Sequence, residues 1–292
     1  MVQERWLPRC TSRKDAQLKE SSFKTSTQQK LAVAIVFVFI SLAIAAHLGL
    51  GTSAHQKVDF SKARLVPSAI HWLGTDQLGR DVFHRIIQAT KSSVTVAFIA
   101  AALATTLSLL FGIWSNFDKK GFSPFVTILE SLIVNTPFVL LVVALKEVMP
   151  QNHLSMGLAL GSLTWMTGFR WIHSATHKIL QTQYVEAAQF MGANRMRIFS
   201  KHLMPNLIPI VFIQFGITFA LAIKYEAVLS FLGLGPDPGS FVSWGTMLQD
   251  GRHEILAGIW WPTVSSGACL TLIVLCVYTL VDAARKKTNS QL

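Results

Sequence analysis

Few residues in this chain have the types and spacing that chemistry at a metal or a thiol would need. His173 and His177 lie four apart, which would place two imidazoles on one helical face as possible metal ligands. A metalloprotease-type site would also need the Glu of His-Glu-x-x-His, and that Glu is missing. Cys10, Cys269 and Cys276 show no Cys-x-x-Cys spacing, so packing is favoured over zinc or a disulfide. We expect no metal site.

Nucleotide and hydrolase motifs are also missing from the sequence. It contains no Gly-x-x-x-x-Gly-Lys-Ser/Thr, no Gly-x-Gly-x-x-Gly and no Gly-x-Ser-x-Gly. We therefore expect a non-catalytic chain that binds no cofactor of its own.

A polar, basic stretch between two apolar runs has the features of a docking element. Residues 184–191 predict a short helix with small Ala187 and Ala188 on its surface, and Gly192 suits its end because glycine takes positive φ without steric cost. Two alanines allow another surface to approach closely, and Glu186 supplies one charge to orient it. Such a helix fits a partner's cleft.

A second helix is predicted directly after this turn. Asn194 can cap it, and Pro205 should end it before the next apolar run. Its apolar residues recur at helical spacing: Met196, Phe199 and Leu203.

The composition identifies what must position these segments. Of 292 residues, 51% are hydrophobic and only 14% are charged, which is typical of a membrane protein. About 20 apolar residues cross a hydrocarbon core of about 30 Å. Six runs reach or approach that length: 31–51, 94–114, 125–145, 154–169, 207–223 and 255–281. The first could be a secretory signal, but its apolar run is too long and its polar leader extends to Lys30, so a retained anchor is favoured.

The basic residues predict the orientation. With a cytoplasmic N-terminus, 17 of the 26 Lys and Arg lie on the inner side and nine on the outer side. The net charge of +11 is spread over the loops that flank the spans, which argues against a nucleic-acid-binding face. Residues 1–30 are expected to form a solvated, partly disordered basic tail that touches anionic lipid headgroups. The stretch 184–205 then lies in the cytoplasm.

Two outer segments also have distinctive sequences. Residues 74–81 lead into a helical face that contains Val82 and Ile86, which predicts an interfacial helix before the second span. After the fifth span, glycines and the run 236–239 force turns, which indicates an outer gate region. Lys224 and Glu226 lie two apart, and we expect each to extend to the outer interface rather than to contact substrate.

The sequence from Tyr184 through His202-Leu-Met-Pro-Asn206 resembles the EAA loop of binding-protein-dependent ABC importer permeases, which contacts the ATPase subunit. The residues that this resemblance assigns to ATPase docking are Tyr184, Glu186, Ala187, Ala188, Gly192, Ala193, His202 and Pro205.

Two further segments are similar to C-type permease subunits of dipeptide, oligopeptide and nickel importers. Leu-Gly-Thr-Asp-Gln-Leu-Gly-Arg-Asp precedes the second span and supplies the outer motif: Gly74, Thr75, Asp76, Gly79, Arg80 and Asp81. The segment after the fifth span supplies the gate and turn residues: Glu226, Gly233, Gly235, Trp244 and Gly245.

The resemblance implies an all-α membrane protein with six transmembrane helices and the type I importer permease (MetI-like) fold. The implied organisation is a tail at 1–30, a first helix at 31–51, a periplasmic loop at 52–93, a five-helix core at 94–281 with the EAA loop at 173–205, and a cytoplasmic tail at 282–292. The chain would be a multi-pass protein of the bacterial inner membrane with both termini inside.

The implied partners are a second, homologous permease in a heterodimer, two ATP-binding subunits that hold ATP and Mg, membrane lipid, and a periplasmic or lipid-anchored solute-binding protein. Nucleic acid is not expected. Dipeptides, longer peptides, antimicrobial peptides and nickel chelates remain open as substrates.

Two other readings stay open. Glu130 lies inside the third span, where an ionisable group usually faces the bundle interior or a water cavity, so it is a candidate pathway residue. A secondary transporter driven by an ion gradient is the alternative class, although buried charge relays and an inverted repeat are not evident in the sequence.

Overall fold

The computed structural model describes residues 11–49, 58–117, 122–148, 152–236 and 241–289. Most of these residues are helical, and the only β feature among them is a single bridge between Thr75 and Asp81. The α-helices are α1 Thr11–His47, α2 Val82–Phe117, α3 Phe122–Asn135, α4 Phe138–Val148, α5 His153–Leu180, α6 Gln183–Phe190, α7 Arg195–Ile198, α8 Met204–Phe231, α9 Trp244–Leu256 and α10 Trp261–Asn289. A 3-10 turn covers Phe60–Lys62 and a π-helical segment covers Phe199–Leu203.

Four helical stretches of the described chain are long and apolar enough to span a bilayer: Thr27–His47, Val82–Phe117, Arg195–Phe231 and Trp261–Thr288. Helices α3 and α4 meet at a bend of 97° beside Pro137, which breaks a helix because it lacks an N–H donor. Together they would form a fifth, broken span. The 28 residues of α5 exceed the length of a span, although this helix is not among the stretches that are apolar enough to count as candidate spans.

The central helix pair is α2 and α5, which have the most extensive contact in the fold. Gly157 and Gly161 allow this approach, because a Cβ on Gly157 would lie 2.7 Å from the Cβ of Ile99 and one on Gly161 would lie 2.9 Å from the carbonyl oxygen of Ala100. Small residues four apart let membrane helices approach closely, which maximises their van der Waals contact. Helix α8 packs on this pair, and α10 packs on α8.

Several predicted boundaries differ from the structure. The helix of the first span begins at Thr11, so residues 11–30 of the expected disordered tail are helical, while residues 1–10 lie outside the described residues. The residues predicted to form a separate interfacial helix after position 81 are instead the first turns of α2, which is continuous over 36 residues. The last span begins at Trp261 rather than at Ile255, since Ile255 belongs to α9. Likewise, α10 continues to Asn289 through most of the predicted tail.

The reason for the missing interfacial helix is visible in its predicted apolar face. Val82 and Ile86 are buried against protein rather than membrane. Helical periodicity indicates that one face of a helix is buried, but it does not show whether protein or membrane lipid covers that face.

Candidate coupling loop and outer gate

The coupling loop comprises residues 183–205, which follow α5 and extend into the first turn of α8. Helix α6 ends as predicted, with Met191 as C-cap and Gly192 at a φ of +81°. The predicted cap at Asn194 is also confirmed, because its side-chain oxygen accepts a 2.8 Å hydrogen bond from the backbone N–H of Arg197. Two short helices therefore meet at a sharp glycine turn.

The two ends of the coupling loop are brought together. The rings of Tyr184 and His202 have centroids 5.8 Å apart. The side-chain amide of Asn206 donates to the His202 carbonyl oxygen at 2.6 Å and to the Tyr184 hydroxyl at 3.5 Å. The backbone N–H of Ala193 donates to the carbonyl oxygen of Ala188 at 3.0 Å and closes the turn.

The coupling loop has one buried side. Val185, Ala188, Ile198 and Leu203 pack inward, while Glu186 and Ala187 are exposed. The prediction that both alanines are on the surface is therefore wrong for Ala188, which helps to anchor α6.

Three apolar side chains of the coupling loop are open to solvent. Phe190, Met191 and Met196 are 93%, 82% and 70% exposed. Phe190 and Met191 were not among the residues predicted to dock. The position of Phe190 on α6 could have identified it, since it lies on the face opposite buried Val185 and Ala188. Met191 is the C-cap of α6 and lies three residues after Ala188, so helical periodicity gives no such signal for it.

The sequence predicted that Pro205 would end the second helix, but the structure shows that it does not. A π-helical segment carries the chain from α7 directly into α8, and Pro205 occupies its first turn, where a missing N–H is tolerated. The coupling loop is thus joined to a membrane-spanning helix without a flexible linker.

The outer loop (residues 58–81) is organised around the buried carboxylate of Asp76. This carboxylate accepts hydrogen bonds from the backbone N–H groups of Leu78 and Arg80, both at 2.9 Å. The Arg80 Nε atom lies 2.7 Å from Oδ2, and Nη1 of Arg85 lies 2.6 Å from the same oxygen.

Two further members of this ion-pair network, Arg85 and Asp250, were not singled out from the sequence. Arg85, in α2, is 3% exposed. Its Nη2 atom lies 2.7 Å from Oδ2 of Asp250 in α9, and Arg80 Nη2 lies 3.3 Å from the same atom. The two arginines and two aspartates balance in charge and join the outer loop, α2 and α9. Asp250 is 174 positions beyond Asp76, so no local pattern could reveal the pair.

The other residues of the outer motif also make internal contacts. The Thr75 hydroxyl donates to the Lys62 carbonyl oxygen at 2.6 Å, and the Thr75 carbonyl oxygen accepts from the indole N–H of Trp261 at 3.0 Å. Gly74 and Gly79 have φ values of +71° and +72°. A Cβ on Gly74 would lie 2.6 Å from the carbonyl oxygen of Leu65, and one on Gly79 would overlap the carbonyl of Asp59.

Asp81 completes the outer motif by pairing with two imidazoles. Its carboxylate lies 2.7 Å from Nδ1 of His71 and 3.1 Å from Nδ1 of His84. Burial opposes ionisation, but the hydrogen bonds from His71 and His84 outweigh it and lower the pKa of Asp81. In contrast, burial first and then the charge of Asp76 raise the pKa of Glu254, in α9.

Glu226 is fully buried, so the expectation that it extends to the outer interface is wrong. Its carboxylate accepts hydrogen bonds from the hydroxyls of Ser230, at 2.7 Å, and Ser93, at 3.0 Å. Ser93 in turn accepts from the backbone N–H of Trp244 at 3.4 Å. Polar partners on α2, α8 and the start of α9 thus satisfy the buried acid. Lys224 is exposed, with its ammonium 5.5 Å from the centre of the Tyr278 ring.

Glycines in the gate region allow close approach of α8 and α9. A Cβ on Gly245 would lie 2.7 Å from the Ala227 backbone, and one on Gly235 would lie 2.6 Å from the Ser230 hydroxyl. Gly233 ends α8 with a φ of +78°. Trp244 is fully buried, and its ring meets that of Phe39 in α1 edge to face at 5.6 Å. Of the predicted turn 236–239, residues 237–239 lie outside the described residues.

The remaining candidates have structural partners. Glu130 is buried and forms an ion pair with Arg170, in α5. Nδ1 of His173 lies 2.7 Å from the Ser115 hydroxyl, and its ring stacks on that of His177. No cluster of three or more His, Cys, Asp or Glu side chains that could hold a metal occurs among the described residues. Among the described residues, Cys269 and Cys276 are both free thiols.

A fold with several candidate spans and an exposed loop between two of them defines a multi-pass helical membrane protein. The chain belongs to the family described as binding-protein-dependent transport system inner membrane component, which residues 108–289 match. Members of this family are transport permease subunits, so the chain is a multi-pass protein of the inner membrane.

Individual relatives agree with the family. The chain is 29% identical to the dipeptide transport system permease protein DppC of Bacillus subtilis, over 94% of this chain and 86% of that protein. It is 30% identical to the glutathione transport system permease protein GsiD of Pectobacterium atrosepticum, over 82% of this chain and 79% of that protein.

A solved structure shows the same fold. An inward-facing form of the MetNI methionine ABC transporter matches with a TM-score of 0.51 and 19% identity, over 71% of this chain and 96% of that chain. The predicted MetI-like fold is confirmed.

Proposed function

We propose that this chain is the C-type permease subunit of an ABC importer for short peptides, and that the coupling loop is the docking site of an ATPase subunit. One observation carries the docking role: the coupling loop is anchored by buried side chains while Phe190, Met191 and Met196 remain exposed. Exposed apolar side chains grouped on one element are typical of interaction sites. Glu186 lies on the exposed side and would orient the partner.

Partner subunits complete the proposed transporter. This chain would form half of the translocation pathway, and a second, homologous permease would form the other half. Two ATPase subunits would hold ATP and Mg, because this chain contains no nucleotide motif. The basic residues favour an orientation with both termini and the coupling loop in the cytoplasm, where ATP is available.

The structure suggests how ATPase movement would reach the pathway. Because α7, the π-helical segment and α8 follow one another without a break, a push on the coupling loop would move α8 as a unit. Glu226 on α8 accepts a hydrogen bond from Ser93 of α2, which in turn accepts from the backbone N–H of Trp244 in α9, so that movement would act on the outer gate. Nucleotide must bind one state more tightly than the other to drive this change.

The proposal of a peptide substrate is based on the similarity to the relatives. The matches of this chain to a dipeptide, an oligopeptide and a glutathione permease cover 72–86% of the length of those proteins. Nickel chelates and antimicrobial peptides are the competing substrates, and uptake of a labelled dipeptide, glutathione, nickel chelate or antimicrobial peptide by matched cells with and without this subunit distinguishes them.

The solute-binding protein would dock on the outer loop. Ile70 and Trp72 are 85% and 67% exposed there, beside the fixed Asp81 and Phe83. Replacing Trp72 with Ala should reduce stimulation of ATP hydrolysis by the binding protein and leave assembly of the complex intact. Full stimulation in this variant would contradict the docking surface.

Gly192→Val tests the coupling loop. Its φ of +81° disfavours a β-branched residue, although a Cβ would meet no atom within 4 Å. Gly258 is a matched control, since it has the same φ and the same open space at the end of α9, away from the coupling loop. We expect both variants to insert in the membrane, but only Gly192→Val to lose ATP-driven uptake.

A charge reversal tests the same site without backbone strain. Glu186→Lys should uncouple uptake from ATP hydrolysis, whereas Asp282→Lys makes the same charge change at an exposed site on α10 and should not. Normal uptake in both Gly192→Val and Glu186→Lys would reject the docking role.

A further inference from the structure

Two adjoining cavities of different chemistry lie along α8 and α10. The first, about 540 Å³, lies between the ends of α5, α8 and α10, and Arg170, Lys178 and Arg285 line it. The second, about 640 Å³, is a groove between α1, α2, α8 and α10 with an almost wholly apolar lining. Each falls within the roughly 300–1,000 Å³ of small-molecule sites.

The cavities are continuous along two helices. Ile213 of α8 lines both of them. On α10, Ala284 lines the apolar groove, and the next residue, Arg285, lines the basic cavity. A molecule with an anionic head and an apolar chain could therefore occupy both at once.

The position of the basic cavity is that of a membrane boundary. In α5 the apolar run gives way to polar residues at Arg170, and in α10 it gives way at Asp282, on the side where α8 begins. Basic pockets between membrane helices at this level commonly hold the headgroups of anionic lipids.

The charges leave the basic cavity positive. Glu130 pairs with Arg170, and Asp282 pairs with Lys286 at 2.7 Å, so the neighbouring acids are already engaged. The Arg285 guanidinium stacks on the Trp171 ring at 4.9 Å from its centre, which holds it at the cavity. Lys178 forms no ion pair with any described residue.

We propose that these cavities form a binding site for one anionic phospholipid of the leaflet next to the coupling loop. Lys178 and Arg285 bind its phosphate, and an acyl chain lies in the groove past Ile213 and Gly216 between α8 and α10. Because α8 begins at the coupling loop, the bound lipid would hold the helix that transmits ATPase movement. The site would make transport depend on the anionic lipid content of the membrane.

Native mass spectrometry of the full purified complex tests this site. The complex is stripped of lipid and then titrated with phosphatidylglycerol, phosphatidylcholine, glycerophosphate or inorganic phosphate. We expect one phosphatidylglycerol to be retained and the other three ligands to bind much more weakly. Each basic residue near the surface contributes about 5-fold to lipid binding, so the double variant Lys178→Gln/Arg285→Gln should bind phosphatidylglycerol about 25-fold more weakly.

Lys287→Gln is the control, because it removes one positive charge from an exposed site on α10 two positions beyond Arg285, outside the cavity lining, and leaves the Asp282–Lys286 pair intact. It should bind phosphatidylglycerol like the unmodified complex. Equal binding by the double variant and the control would overturn the site. Equal binding of glycerophosphate and phosphatidylglycerol would also overturn it, since the ligand would then be a soluble anion.

Discussion

The outer loop and the coupling loop are both short segments next to spans, and both were found from their sequence motifs. In the outer loop, the motif residues form hydrogen bonds and ion pairs with each other and with residues of α2, α9 and α10. In the coupling loop, the motif lies on a helix with one anchored side and one exposed side, and its apolar tips have no partner within the described chain. A recognisable motif can therefore serve folding in one place and docking in another, and burial distinguishes the two.

The largest expected effect comes from removing Asp76, which tests whether the outer loop serves folding. Asp76→Ala leaves Arg85 buried with half of its ion pairs, and breaking a buried pair costs about 3–5 kcal/mol. We expect a large fall in the melting temperature of the purified complex. Asp282→Ala, which breaks an exposed pair, should change stability by about 0–1 kcal/mol. Similar melting temperatures for the two variants would refute the structural role of the outer loop.

A pair of glycine substitutions sharpens the contrast. Gly79→Ala adds an overlap with the Asp59 carbonyl to an unfavourable φ, for a combined cost of roughly 2–5 kcal/mol. Gly192→Ala has only the φ cost of about 1–2 kcal/mol, because space around it is open. Thermal unfolding of both variants measures the difference, and a greater loss at Gly192 would contradict it.

Two exposed phenylalanines provide a smaller, more specific test. Phe190→Ala should leave stability nearly unchanged but weaken ATPase binding by about 1–2 kcal/mol, or about 5- to 30-fold. Phe60→Ala, on the outer loop, should affect neither ATPase binding nor stability. Titration of detergent-purified permease with ATPase gives both affinities, and equal affinities would remove Phe190 from the docking surface.

The smallest expected effect concerns pH. Because the folded-state pKa of Asp81 is lowered, its contribution to stability is present above its unfolded pKa of about 3.9 and is lost as the pH falls through the folded value. Asp81→Asn should therefore melt below the unmodified protein at pH 7, and the two melting curves should converge in acid. A constant gap down to acid pH would contradict this linkage.

The sequence predicted the helical membrane class, the glycine turn at Gly192 and the cap at Asn194, because each depends on local pattern or composition. It failed where distant residues decide the outcome. Arg85 pairs with Asp250, which lies 165 positions away, and Glu226 accepts a hydrogen bond from Ser93, which lies 133 positions away. A charged residue at a span end is expected to reach water unless such partners are known.

The central claim is that the coupling loop joins this permease to an ATPase, and one measurement tests it most directly. The unmodified subunit, Glu186→Lys and Asp282→Lys are each purified from native membranes in mild detergent, and the copurifying proteins are identified by mass spectrometry. We predict a second permease with all three forms, and ATPases with Walker motifs only with the unmodified and Asp282→Lys forms. Recovery of the unmodified chain without any ATPase, or equal recovery of ATPases with Glu186→Lys, would contradict the account.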